Sequence, residues 1–228
     1  ANFLVPGLRV GDKIDVAVSR RSINPFMGDN YEDFADFGRG VRADRIHMRL
    51  TWHKKRTVKW YSGQKLARLD LSKSGEFNIA EGAIDNVRIE PMGFRAPTRL
   101  LREQMLQAST FADYPAIADW YGGKFEIAVK LDGDAELAGR IDAIIAQHVN
   151  PLARATAALA LVQNEIRYTG NFEGLGNYQP DPALTVWRNR YGDCKGKTAL
   201  LTAILRKMGI SAVPALVSVK RNSGIETA

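Results

Sequence analysis

The sequence predicts an α+β chain in which an N-terminal antiparallel β-sandwich precedes a helix-rich half, and three observations predict it. Apolar residues alternate with period two through the first half, the period lengthens to about 3.6 after residue 110 or so, and a capped apolar helix opens at the only cysteine, Cys194.

The strands come first. Residues 14–19, 45–52, 57–61, 67–71 and 86–90 are short alternating runs with turn residues between several of them. Alternation of this kind buries one face of a sheet and leaves the other in water, the pattern of an antiparallel sheet or sandwich. His47 and His53 fall in or beside these runs with no Cys or second His at ligand spacing, so they read as strand-surface residues and no metal site is expected. The acidic stretch 29–36 lacks the alternating ligands, central glycine and terminal glutamate of a calcium loop, and reads as a solvated loop.

Helical spacing takes over in 135–145 and 151–163, the second with Asn150 as N-cap and Pro151 at the first helical position. The change of period places a boundary between residues 110 and 125, with Gly122 and Gly123 as punctuation and 125–130 open to reading as a further strand. The expected division is residues 1–112 and 113–228. The stretch 170–182 follows as a long loop whose glycines miss the dinucleotide-binding spacing. Long loops in compact domains are commonly functional, and this one leads toward Cys194 as a wall for a cleft.

The last helix carries the chemistry. Asp193 suits an N-cap whose carboxylate accepts from an orphan N–H near Gly196, and the run 197–208 stops at Gly209. Cys194 then sits in the first turn, where the helix dipole favours negative charge, and Lys195 and Lys197 add positive charge; all three lower the cost of a thiolate. A lone cysteine is commonly a small buried hydrophobe. This one is flanked by Gly192, Asp193 and Lys195 and lies off the Leu200, Leu201, Ile204, Leu205, Met208 face, so packing explains it poorly. Spacing alone leaves both readings open. Gly196-Lys197-Thr198 also ends like a phosphate-binding loop, but the motif's first glycine would fall on Tyr191, and 185–190 lacks the apolar run of a buried parallel strand. Nucleotide hydrolysis is a weak alternative.

Asn164-Glu165-Ile166-Arg167-Tyr168, Gly176-Asn177-Tyr178-Gln179-Pro180 and Arg190-Tyr191-Gly192-Asp193-Cys194-Lys195, followed by Leu200-Leu201 and Gly209-Ile210, resemble the bacterial transglutaminase-like core, whose fold is related to papain-type cysteine proteases. The likeness covers roughly residues 130 to 219. The region before it is similar to a bacterial β-sandwich domain of unknown function that commonly precedes such cores. That domain's closing Ser/Phe/Trp segment corresponds here to Ser109-Thr110-Phe111 through Trp120.

The resemblance implies Cys194 as nucleophile in acyl transfer or amide hydrolysis, a peptide or protein substrate from the cell envelope, a periplasmic or envelope location, and no cofactor. By analogy with papain-like enzymes, Gln179 is the expected oxyanion donor, and Tyr178 and Trp187 are the expected substrate-binding residues. The family's His and Asp lie downstream of the nucleophile helix. His47, His53 and His148 all precede Cys194, and no His or Asp occurs from 195 to 228, so the core reads as C-terminally incomplete and inactive by itself. The alternative is a non-catalytic module binding a peptide or envelope polymer on the same fold.

Composition bounds the rest. At 228 residues, 45% hydrophobic and 25% charged, the chain suits one large or two modest globular domains. No apolar run approaches the ~20 residues of a membrane span. A single cysteine excludes an internal disulfide and so does not assign a compartment. The net charge of +7 is spread over Arg20 and Arg21, Lys54 to Arg56, Arg188 and Arg190, and Lys220 and Arg221. No zinc-finger, recognition-helix or aromatic RNA-binding signature accompanies it, so no nucleic-acid partner is expected.

Overall fold

Period two in the first half becomes two antiparallel sheets. The computed structural model describes residues 4–19, 21, 23–36, 42–63, 69–88, 105–170 and 178–217. Strands β1 (Glu32–Asp36), β6 (Met105–Ser109) and β3 (Lys59–Ser62) form one sheet in the order β1-β6-β3. Strands β2 (Ala43–His53), β5 (Phe77–Val87) and β4 (Asp70–Ser74) form the other, in the order β2-β5-β4.

The two longest strands set the register, pairing from Ala43 opposite Val87 to His53 opposite Phe77. Ile46, Met48, Leu50 and Trp52 alternate along β2, and their cluster takes in Ala80 of β5 together with Trp60 of β3 and Leu106 of β6. One apolar face of each sheet therefore meets the other, a β-sandwich. The outward residues of β2 pair across strands, Arg45 with Asp85 as an ion pair at 3.5 Å and His47 Nε2 with a Glu81 carboxylate oxygen at 2.8 Å. Exposed pairs of this kind contribute at most ~1 kcal/mol each and chiefly mark register. β4 and β5 are joined through Gly75 and Glu76; Gly75, at φ 58°, supplies the positive φ that a type II′ hairpin needs at its first central position.

Several expected elements differ. Residues 14–19 form no strand, and Ile14, Val16 and Val18 stand in solvent. Alternation makes a segment fit a sheet edge, but a strand exists only when a partner takes up its backbone groups. The acidic stretch 29–36 is not simply a loop: its second part is β1, paired with β6 from Glu32 opposite Ser109 to Asp36 opposite Met105. β1 lies at the edge of its sheet, where charged side chains are tolerated and discourage further pairing. The run expected at 86–90 ends at Val87, with Asn86 at φ 54°. Residues 67, 68, 89 and 90 lie outside the described residues, as do Arg20, Lys220 and Arg221.

The helical half begins four residues after Thr110. α1 (Tyr114–Ala128) starts at Asp113, whose carboxylate accepts from Ala116 N–H at 2.8 Å, and buries Tyr121, Phe125 and Ala128 on one face. The strand reading of 125–130 is overturned, because i, i+4, i+7 burial keeps this stretch helical through Ala128. Gly122 and Gly123 do not punctuate; they lie inside α1. A Cβ on either would touch nothing within 4 Å. Gly123→Ala should therefore raise unfolding free energy by about 0.5–1 kcal/mol, because alanine loses less backbone entropy in a helix interior. An unchanged or lowered urea midpoint would contradict this.

α2 (Ala135–Gln147) is capped by Asp134, and α3 (Pro151–Glu165) by Asn150, which accepts from Leu152 N–H at 2.8 Å. α4 (Ala183–Asn189) and α5 (Cys194–Lys207) complete the set described. Leu137, Ile141, Val162, Trp187, Leu200 and Ile204 pack as one core from these four helices. Arg206 of α5 donates to both Glu126 carboxylate oxygens at 2.8 and 2.9 Å, tying α5 to α1 and holding the Glu126 carboxyl below its ordinary value. Between α3 and α5, β7 (Arg167–Tyr168) pairs in parallel with β8 (Tyr191–Gly192), which brings the end of α3 to the entry of α5. Among the described residues, no helix is long and apolar enough to cross a membrane.

Candidate active site

α5 begins on the cysteine itself. Asp193, 4% exposed, caps it: Oδ1 accepts from Gly196 N–H at 2.9 Å, and the second oxygen pairs with the Lys195 ammonium. The first intrahelical bond runs from Lys197 N–H to the Asp193 carbonyl at 2.9 Å. Cys194 is exposed, which removes the buried-hydrophobe reading.

The cysteine turn is pressed onto α4. A Cβ on Gly196 would stand 2.9 Å from Val186 Cγ2, and one on Gly192 3.0 Å from Val186 Cγ1. Val186 is 1% exposed and has nowhere to retreat, so close approach requires glycine on both sides of Asp193 and Cys194. The same hypothetical Cβ on Gly196 lies 3.5 Å from Asp181 Cβ. The segment carrying Gln179 thus packs against the turn that carries Cys194.

The lysines are disposed differently from the expectation that both serve the thiol. Lys195 is paired with Asp193, and Lys197 donates to the Ile166 carbonyl at 2.5 Å. Both positive charges already have partners.

Tyr121 of α1 joins this site, and nothing in the sequence pointed to it. Its hydroxyl donates to the Tyr178 carbonyl at 2.7 Å, and its ring meets Phe125 at 5.3 Å between centroids and Phe26 at 6.1 Å. Phe26 comes from a 3-10 turn, Pro25–Met27, and stacks on Tyr178 at 6.3 Å. A period argument sees Tyr121 and Phe26 only as apolar residues, since their role depends on contacts across long stretches of chain.

Burial, with Asp193 and Cys194 nearby, pushes the Tyr121 phenol from 10.0 up to about 12. A raised folded value means that the neutral phenol's contribution is complete below pH 10 and is lost as the pH climbs toward about 12, because the unfolded chain releases the proton first. Stability should fall across that window more steeply in the wild type than in Tyr121→Phe. Parallel curves in chemical denaturation would contradict it.

The remaining expected site residues separate. Gln179 is exposed and Tyr178 is 39% exposed, both in the segment beside the cysteine turn. Trp187 is 0% exposed, a core residue with the Arg190 guanidinium 3.7 Å from its ring centroid, so it offers a substrate no surface. The histidines stand on other elements: His47 pairs with Glu81, His53 meets the Phe77 ring edge-on, and His148 ends α2. A cavity of about 390 Å³ lined by Leu131, Asp134, Leu137, Ile141, Leu184 and Lys207 includes no residue of the cysteine turn.

Comparison with known proteins bears on the fold. Residues 139–225 match the family model of the transglutaminase-like superfamily. No curated protein matches the chain. A crystal structure from Parabacteroides distasonis, described as a "putative protease", superposes with a TM-score of 0.63 at 10% identity, over 79% of this chain and 35% of that one. At that identity the likeness is one of fold, and it extends well beyond residues 139–225. The present chain spans about a third of that structure's length. The chain therefore carries a transglutaminase-like domain over residues 139–225, with Cys194 opening its central helix.

Proposed function

We propose that this chain is part of a cysteine enzyme that transfers or hydrolyses acyl groups, with Cys194 as nucleophile. The observation carrying the reading is an exposed thiol on a helix N-terminus whose first turn is clamped by Asp193, Val186 and the segment bearing Gln179. In the reaction the Cys194 sulfur attacks an amide carbonyl and forms a C–S bond. The C–N bond breaks and the amine departs with a proton. Water or a second amine then attacks the thioester, releasing acid or new amide and restoring the thiol.

Gln179 serves as oxyanion donor, and Tyr178 borders the acyl group. Since the three histidines stand on other elements, the reading assigns the base that activates the thiol, and the carboxylate that orients it, to residues outside this sequence. The substrate is a peptide or protein amide, with a cell-envelope peptide in a periplasmic setting as the proposed case. The same proposal divides the chain into a β-sandwich domain, 1–112, and the transglutaminase-like core, 113–228.

The test is acyl trapping. The native protein containing this sequence is incubated with an activated peptide ester and examined by mass spectrometry. A hydroxylamine-labile adduct on Cys194, lost in Cys194→Ala, is expected. Peptide binding with no acyl adduct would replace the enzyme by a binding module on the same fold.

A further inference from the structure

Tyr178 and Gln179 share one peptide plane, so whatever holds the Tyr178 carbonyl also aims the Gln179 N–H and the start of its side chain. That carbonyl accepts the Tyr121 hydroxyl at 2.7 Å. The Tyr121 ring, 9% exposed, is itself held edge-on by Phe26 and Phe125 and stacked by Trp120 at 5.7 Å. A second grip acts on the same residue, because the Tyr178 ring lies nearly parallel to Phe26 at 24°.

We propose that Tyr121 is a positioning residue, which with Phe26 clamps the Tyr178–Gln179 segment beside Cys194. The proposal rests on the reading in which Gln179 and Cys194 act on one acyl group. It also gives the N-terminal half a part in the site, since Phe26 precedes every strand of the two sheets yet packs among α1 residues and Ala199 of α5. The phenol remains a neutral donor throughout the physiological range, its proton held up to about 12 by burial and by the neighbouring Asp193 and Cys194. The clamp therefore does not open by titration near neutral pH.

Tyr121→Phe keeps the ring and removes one hydrogen bond. In the native protein, the NMR order parameter of the Gln179 backbone amide should fall below its wild-type value, because losing the bond to the Tyr178 carbonyl frees the peptide plane they share, while α1 and α5 keep their wild-type values. Phe26→Leu, which loosens the other grip, should give the same local change. Cys194-dependent turnover should fall at least tenfold in kcat with KM within threefold. An unchanged order parameter at Gln179 would overturn the clamp, and so would a uniform loss of order through α1 and α5 with a proportionate fall in Tm, which a merely structural role produces. A wild-type protein without Cys194-dependent turnover, but whose Tyr121→Phe variant shows the local loss of order at Gln179, would retain the clamp and overturn the enzyme reading.

Discussion

Trp187→Ala will lower unfolding free energy by about 3–5 kcal/mol, the usual cost of truncating a large buried aromatic. Three features of the site support a value at the upper end. The side chain is 0% exposed, so its whole apolar surface is lost from a sealed position. It is packed among Leu137, Ile141, Leu200 and Ile204, rigid neighbours on two other helices that collapse poorly into the void. Arg190, 3.7 Å from its ring centroid, loses a stacking partner while its charge stays beside the gap.

Against a total stability of about 5–15 kcal/mol this is a large share, and the melting temperature should drop by on the order of 10 °C. The loss should reach the cysteine as well, because α4 also carries Val186, the residue wedged against Gly192 and Gly196. Urea denaturation and iodoacetamide labelling of Cys194 would read both effects. A destabilisation under 1 kcal/mol would mean that Trp187 does not anchor α4.

Cys194→Ala in the native protein should reduce amide turnover by about 10⁴-fold or more, since removing a nucleophile leaves only binding and oxyanion stabilisation. Folding should be nearly unaffected, because the side chain is exposed and the N-cap belongs to Asp193. Gln179→Ala should lose less, about 10²–10³-fold and mostly in kcat, the signature of a donor that acts on developing charge. Release of ammonia or amine from glutamine-containing and envelope-peptide substrates would measure both. A Gln179→Ala loss under threefold would remove that residue from the oxyanion role, while turnover persisting in Cys194→Ala would remove the thiol mechanism altogether.

The local features were legible from sequence because their causes are local. Asp193 capping Gly196, Asn150 with Pro151 opening α3, and the position of Cys194 in the first turn of α5 follow from a handful of adjacent residues, and the structure places them as expected. Alternation over 45–52 likewise became β2, since one strand's faces are set by its own residues. Whether an alternating segment pairs depends on a distant edge, so 14–19 formed no strand while the acidic 32–36 did. Propensity alone misread Gly122, Gly123 and 125–130, where burial of Tyr121 and Phe125 against other elements keeps one helix continuous.

At the site, residue types announced the nucleophile candidate, but only packing decided its surroundings. The sequence by itself determined where the thiol sits on its helix, how that helix is capped, and which blocks mark the transglutaminase-like core. Tertiary structure alone decided that Lys195 and Lys197 turn to Asp193 and Ile166, that Trp187 is core, and that Tyr121 and Phe26 close on Tyr178. The physical reason is separation along the chain: capping and period are satisfied within one or two turns, whereas burial and side-chain partners are set by elements that meet only after the chain has folded.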